Sequence, residues 1–213
     1  MIAHTTDSKS SFSQAGFVLT GGKSSRMGAD KAFLPFRGKP MLEHTLNIVS
    51  RVCSSVVIVG EVAKFGRFGT VVEDVFAGCG PLAGIHAGLI SSAAELNLFL
   101  GVDMPFVSEE LLAFLFSVAE QSEATVIVPK TTRLQPLCGV YRRSFAGIAE
   151  RALQAGKYKV DAAFAGVPVR VIDAQELTKA GFSEQHFFNV NSPADLEAAE
   201  KFPSSGLSTG GFS

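Results

Sequence analysis

The chain has 213 residues, 46% of them hydrophobic and 18% charged, a globular composition that excludes a disordered or low-complexity polypeptide. Its 19 Lys/Arg and 20 Asp/Glu leave a formal net charge of −1, so there is no global positive field for nucleic acid or an anionic membrane, and a phosphorylated ligand must be met by local charge. Cys53, Cys79 and Cys138 have neither CxxC spacing nor a neighbouring histidine pair, and no apolar run approaches the ~20 residues of a membrane span; together these predict a soluble protein of the reduced cytoplasm without disulfides or zinc.

Residues 1–14 and 203–213 are polar and Ser/Gly-rich, too poor in apolar side chains to offset the entropy of ordering, so the folded part is expected as one domain over residues 15–202. Within it a strand is expected at 16–20, a helix at 41–53, and strands at 55–59 and 70–73. A helix at 82–94 and a buried strand at 96–102 follow, then a helix at 109–121 with Ser108 as its N-cap, and strands at 125–128 and 137–141. The chain continues with a helix at 144–153 and strands at 167–172 and 187–190. Ser192 then caps a last helix with Pro193 at its first position. Such β/α alternation predicts an α/β fold, a mostly parallel sheet covered by helices on both faces, whose ligands bind beyond the carboxyl ends of the strands.

The first of those ends carries Leu19-Thr20-Gly21-Gly22-Lys23-Ser24-Ser25-Arg26-Met27-Gly28. Its glycines let backbone N–H groups turn toward an anion without Cβ obstruction, while Lys23, Arg26 and Lys31 supply positive charge for a triphosphate. The spelling excludes two commoner nucleotide loops. A P-loop requires Gly-Lys-Ser/Thr where Gly28 is followed by Ala29, and Gly78-Cys79-Gly80-Pro81-Leu82-Ala83-Gly84 misses the dinucleotide fingerprint by one residue.

The apolar strand at 96–102 ends abruptly on Asp103, a carboxylate placed to hold Mg²⁺, which takes one or two carboxylates and completes its shell with phosphate oxygens and water. Asp74 follows the strand at 70–73 in the same way, with a nucleoside hydroxyl, a base edge or an ordinary turn as its candidate roles. Gly80 and Pro81 open a helix whose N-terminus favours an anion, and Gly84 and Gly88, four apart, give that helix a smooth face for close approach. Asn189 and Asn191 flank Val190, so in a strand their amides would point to one side, toward a ligand; a helix-entry turn is the competing reading. The histidines pair with no nucleophile and are assigned no chemistry.

Residues 19–31, then Gly80-Pro81-Leu82-Ala83-Gly84, Asp103-Met104-Pro105 and Asn189-Val190-Asn191-Ser192-Pro193, in this order, resemble the molybdenum cofactor guanylyltransferases. The resemblance implies a Rossmann-like, three-layer αβα fold of the nucleotide-diphospho-sugar transferase type. It implies transfer of GMP from Mg-GTP to the phosphate of molybdopterin with release of pyrophosphate. It places Leu19, Thr20, Gly21, Gly22 and Asp74 on the nucleotide, Lys31 on its phosphates, Asp103 on Mg²⁺, and Asn189 and Asn191 near the acceptor. Arg26 and Lys31 would act as electrostatic clamps, and molybdoenzyme-maturation proteins are the expected macromolecular partners. Thr20 stands where many members resemble one another in carrying Ala, and Val59-Gly60-Glu61 lacks an Asn that some members use on guanosine. A cytidylyltransferase for the same pterin, a sugar-phosphate nucleotidyltransferase and a non-catalytic nucleotide or pterin carrier remain as alternatives.

Overall fold

The computed structural model describes residues 13–21 and 30–202. Its strands are β1 (Gln14–Leu19), β2 (Pro35–Phe36), β3 (Lys39–Pro40), β4 (Ser55–Val59), β5 (Val71–Val72), β6 (Leu96–Gly101), β7 (Val126–Pro129), β8 (Cys138–Arg142) and β9 (Val169–Ile172). Its helices are α1 (Met41–Val52), α2 (Val62–Phe65), α3 (Pro81–Ser91), α4 (Glu109–Glu120), α5 (Ala146–Gln154), α6 (Ala174–Lys179) and α7 (Pro193–Lys201).

Seven strands form one sheet in the order β5-β4-β1-β6-β8-β7-β9. Only β8 runs against its neighbours, β6 and β7; the other pairings are parallel. Parallel neighbours need a crossover, whereas antiparallel ones can be joined directly, and the link from β7 to β8 is the one that carries no helix. β2 and β3 make a separate hairpin, turned through Arg37 and Gly38 at φ +50° and +79°.

Alternation along the central strands divides the interior in two. Val18, Leu96, Leu98 and Leu100 point into a core shared with Leu42, Val49, Leu111, Leu115 and Ala199, on the α1, α4 and α7 face. Ala15, Phe17, Leu19 and Phe99 point the other way, toward Leu82, Ile85, Leu89, Ala149 and Leu153 of α3 and α5. The apolar spacing of α1, with Met41, Leu42, Thr45 and Val49 buried, produces one covered face. Ser108 caps α4 through a 3.3 Å bond from the Leu111 amide, and Ser192 caps α7 through Asp195, as their sequences predict.

Helix α3 differs: every residue from Leu82 to Leu89 is buried, because the sheet covers one side and α5 another. Its glycines set that distance. A Cβ on Gly88 would lie 2.6 Å from Phe99 Cε1 and 2.9 Å from Phe17 Cδ1, and one on Gly84 2.9 Å from Leu19 Cδ2. The stacked Phe17 and Phe99 rings, 4.9 Å apart and almost wholly buried, have no free volume into which to retreat.

Several boundaries differ from expectation. Gln14, expected in the poorly ordered segment, opens β1, while residues 1–12 and 203–213 lie outside the described residues. The strand expected at 70–73 is reduced to two residues. No strand forms at 187–190. Glu184–Phe187 is a short 3-10 turn, and the Val190 amide donates to the Asp103 carbonyl instead of to a ladder partner. All three cysteines are free, and burial pushes the Cys53 and Cys138 thiols up to about 12. No helix among the described residues is long and apolar enough to cross a membrane.

Gly88→Ala tests the close contact. Overpacking of ~1–3 kcal/mol matches or exceeds the helix-propensity gain of about 1 kcal/mol, so urea unfolding should show a net loss of up to roughly 2 kcal/mol. Gly147→Ala in α5, where a Cβ would meet only Arg151 Nη1 at 3.5 Å, should instead be neutral or gain up to ~1 kcal/mol.

Candidate active site

β1 and β6 are parallel neighbours with Leu19 opposite Gly101, and chain order departs in opposite directions on either side of them. At such a reversal the loops leaving the strands separate and leave a crevice. The Val102 amide extends the pairing by donating to the Leu19 carbonyl at 3.1 Å, and the Thr20 amide donates to the Val59 carbonyl at 3.1 Å. Thr20-Gly21 and Val102-Asp103 therefore leave the sheet side by side. A cleft of about 480 Å³ opens there, within the ~300–1,000 Å³ usual for small-molecule sites. Leu19, Thr20, Gly21, Lys31, Asp74 and Asp103, all singled out from sequence, line it. Gly22 and Arg26 lie outside the described residues.

Lys31 and Asp103 form the polar centre. Lys31 Nζ is 3.2 Å from Asp103 Oδ2 and 2.7 Å from Asn191 Oδ1, with the Lys31 and Asp103 side chains 18% and 20% exposed. The preceding Asp30 explains the placement of the lysine: its carboxylate accepts from the Ala32 amide at 3.1 Å and caps the 3-10 turn Lys31–Phe33, while the fully buried Ala32 anchors that turn. Asp103 is oriented from below. Its Oδ1 lies 2.8 Å from where a Cβ on Gly101 would stand, so a larger residue at 101 would displace the carboxylate.

The expected common orientation of Asn189 and Asn191 is corrected here, since it required a strand. Neither lines the cleft. Asn191 reaches Lys31, and its amide donates to Asp195 Oδ2 at 2.9 Å, whereas Asn189 Nδ2 turns back to the Phe187 carbonyl at 2.8 Å. The 2.8 Å bond from the Val190 amide to the Asp103 carbonyl ties this segment to the end of β6.

The wall on the β4 side includes Gly60, to which the sequence alone assigns no role. Thr20 is only 7% exposed; its hydroxyl donates to the Val59 carbonyl at 2.8 Å and points away from solvent. A Cβ on Gly60 would stand 2.2 Å from that hydroxyl oxygen, so Thr20 and the absent side chain of Gly60 depend on one another. The place of this glycine directly after a predicted strand is the available signal. Asp74 is exposed as a residue, yet its carboxyl lies against Gly84, and partial burial pushes its pKa above the ordinary carboxylate value. Gly80, at φ +73°, lets the chain turn into α3, whose first turn has no side-chain cap; Gly80 and Pro81 present this uncapped N-terminus to the cleft.

Among the described residues no three or more His, Cys, Asp or Glu side chains gather as a metal-ligand cluster. Asp103 is a single carboxylate at the cleft's centre. That fits Mg²⁺ bound mainly through a ligand's phosphate oxygens and water, and does not fit a cage built from protein alone.

The family model for the MobA-like NTP transferase domain matches residues 16–200. A probable molybdenum cofactor guanylyltransferase of Pelotomaculum thermopropionicum is 39% identical over 188 residues, covering 86% of this chain and 90% of that protein. The molybdenum cofactor guanylyltransferase of Desulfosudis oleivorans is 31% identical, covering 87% and 93%. Among solved structures, the molybdopterin-guanine dinucleotide biosynthesis protein A of Archaeoglobus fulgidus superposes with a TM-score of 0.79 at 29% identity, covering 88% and 97%. The 2-C-methyl-D-erythritol 4-phosphate cytidylyltransferase of Thermus thermophilus, at 22% identity and a TM-score of 0.63, shares the fold. The chain belongs to the molybdenum cofactor guanylyltransferase family of MobA-like NTP transferase domains, and is an enzyme of the nucleotidyltransferase class.

Proposed function

We propose that one nucleotidyltransferase domain over residues 15–202 transfers GMP from Mg-GTP to the phosphate of molybdopterin in the cytoplasm, releasing pyrophosphate and forming the guanine dinucleotide cofactor. The observation that carries this reading is the Lys31–Asp103 pair at the end of β6, facing a cleft with an uncapped helix N-terminus. The names of the relatives supply the identity of the nucleotide and of the acceptor.

The nucleoside is assigned to the β4 side, over Thr20, Val59 and Gly60, with the Asp74 carboxylate accepting from a nucleoside hydroxyl. The triphosphate is assigned to Gly21, Gly22 and the rest of the glycine-rich loop, to Lys31, and to Arg26 as a second clamp. Mg²⁺ held by Asp103 supplies neutralisation of phosphate charge. An anionic oxygen of the acceptor phosphate bonds to the α-phosphorus as the bond to the bridging oxygen of the β-phosphate breaks, and the electron pair leaves with pyrophosphate. The acceptor is already ionised, so no protein nucleophile or base is needed, and the work of Lys31 is to hold phosphate charge and align the attack. Without nucleotide, Lys31 and Asp103 neutralise one another; binding exchanges that pair for phosphate on the lysine and metal on the carboxylate. Asn191, bonded to Lys31, and Asn189 border the route of the acceptor phosphate.

Saturating GTP with Mg²⁺, at about 100 times its Kd, should stabilise the fold by ~2.7 kcal/mol and raise Tm by roughly 5–10 °C, more than CTP, ATP or UTP. A CTP shift equal to or larger than that of GTP would remove the guanylyl assignment. Asp103→Asn, nearly isosteric, should keep the unfolding midpoint while lowering pyrophosphate release with molybdopterin by about 100-fold or more, and undiminished turnover would sink the metal role. The raised pKa of Asp74 fixes the sign of a third measurement. Its carboxylate is ionised above that pKa and neutral below it, so GTP affinity should fall as pH is lowered toward it, with a smaller fall in Asp74→Asn.

A further inference from the structure

Helix α2 supplies no side chain to the lining of the nucleotide cleft, yet it touches three of the segments that do. Its buried Phe65 ring lies directly against Gly60, where a Cβ would stand 2.9 Å from Phe65 Cδ2 and Cε2. The Val62 amide, which has no partner inside the helix, donates to Glu73 Oε1 at 2.8 Å, one residue before Asp74. The Phe33 ring stacks on Phe65, with centroids 5.5 Å apart and planes inclined by 23°. Phe68, 6.0 Å away, and the Arg67 guanidinium, 5.8 Å from the Phe33 centroid, complete the surroundings of that ring.

Phe33 is the last residue of the 3-10 turn that begins on Lys31. The turn is hydrogen-bonded along its length: the Phe33 amide donates to the Asp30 carbonyl at 3.0 Å and the Leu34 amide to the Lys31 carbonyl at 3.2 Å. The Phe33 ring and the root of the Lys31 side chain are therefore one rigid piece.

Two contacts join this piece to α2, and they differ in strength. Lys64 Nζ and Asp30 Oδ2 are 3.9 Å apart with the lysine side chain 46% exposed, a pair that solvent screens, and Lys64 has a nearer partner in Glu61 at 2.6 Å. The stack of Phe33 on Phe65 is apolar, with one ring buried and the other half-buried, so water does not weaken it. Placement of the turn against α2 is the work of the rings. Lys31 tolerates little error in that placement, because a shift of about 1 Å would break its 3.2 Å and 2.7 Å bonds to Asp103 and Asn191 and spoil its alignment on a phosphate.

We infer that Phe33 is a positioning residue for the transfer: through its stack on Phe65 it sets the Lys31 ammonium relative to the wall at Gly60. Helix α2 then fixes the separation between the side of the cleft assigned to the nucleoside and the lysine assigned to the phosphates. The task of Lys31 in transfer rests on the proposed function; its mechanical attachment to Phe33 does not.

Phe33→Leu keeps an apolar side chain and removes the flat ring. A displaced ammonium still leaves its charge in the cleft, so GTP binding persists while in-line alignment is lost. With GTP, Mg²⁺ and molybdopterin, kcat for pyrophosphate release should fall by roughly tenfold or more, with the KM for GTP within about twofold of the parent. Phe33→Tyr, which retains the ring, should restore most of kcat. Phe114→Leu takes one ring from the half-buried Phe114 and Phe182 pair outside the cleft lining; its unfolding midpoint should shift much as that of Phe33→Leu does, with kcat unchanged. In a Lys31→Ala chain, Phe33→Leu should lower kcat by less than about twofold further, since a residue that acts through the lysine then has nothing to position. A second readout needs no turnover. Lys31 of the ligand-free chain, labelled with acetic anhydride and followed in its peptide by mass spectrometry, should react faster in Phe33→Leu, where its two bonds are lost, and at the parent's rate in Phe114→Leu. An unchanged labelling rate, an unchanged kcat, or a kcat loss undiminished in the Lys31→Ala chain overturns the inference and leaves the proposed function standing. Faster labelling in a chain that releases pyrophosphate from no triphosphate leaves the positioning standing and overturns the proposed function.

Discussion

The parallel pairing of β1 with β6, in the register that sets Leu19 opposite Gly101, is the contact on which the ligand edge depends. It places the end of the glycine-rich strand beside the strand that ends on Asp103, and the Val102-to-Leu19 hydrogen bond carries that alignment one residue past the sheet. A slip of one residue would exchange the faces of every side chain on β1. Val18 would leave the α1/α4 core while Phe17 and Leu19 abandoned α3, so the register is enforced from both sides of the sheet at once. Burial on both faces is a consequence of parallel strands joined by helical crossovers, and it makes the functional edge rigid.

The same constraint explains the glycines. Helix α3 can press onto β1 and β6 only because Gly84 and Gly88 carry no side chain, and that closeness brings its N-terminus and Gly80 into the cleft. β8, the one reversed strand, is secured by polar groups that are satisfied rather than merely buried. Asn97 on β6 donates to the Tyr141 carbonyl at 3.3 Å. Arg142 pairs with Glu95 at 3.0 Å and donates to the Ala119, Ser122 and Ala124 carbonyls, gathering the end of α4 onto the sheet. An arginine with this many partners at 13% exposure would be costly to strip of any of them.

Electrostatically the molecule is organised by place and not by total. Lys31 and Asp103 neutralise each other at the nucleotide cleft, so this centre presents little net charge until a ligand separates them. In the same cleft, partial burial raises the pKa of the Asp74 carboxyl above the ordinary carboxylate value.

Much of this is legible in the chain. Short apolar runs mark the strands of the central sheet, Ser108 and Ser192 mark helix starts through side-chain caps, and an apolar strand ending on Asp103 points to the ligand edge because little else explains a lone acid there. Asp173-x-x-Glu176, the capping box that opens α6, and Arg37-Gly38 at the hairpin turn are equally local signals, although apolar periodicity alone does not find them. Other features exist only once the chain has folded. The 187–190 segment has strand-like composition, yet its Val190 amide is claimed by the Asp103 carbonyl, a partner 87 positions away in sequence that no local pattern encodes. The dependence of Thr20 on Gly60, the tie of Asn191 to Lys31 and the gathering of Lys130, Arg133 and Lys159 around one cavity are likewise contacts between distant segments. Sequence determined by itself what repeats at short period or is spelled within a few residues, namely the elements, the glycine-rich stretch after β1 and the acid that ends the β6 strand. Tertiary structure decided which side chains share a cavity, because that follows from strand order and helix packing, which bring together residues that no local spacing relates.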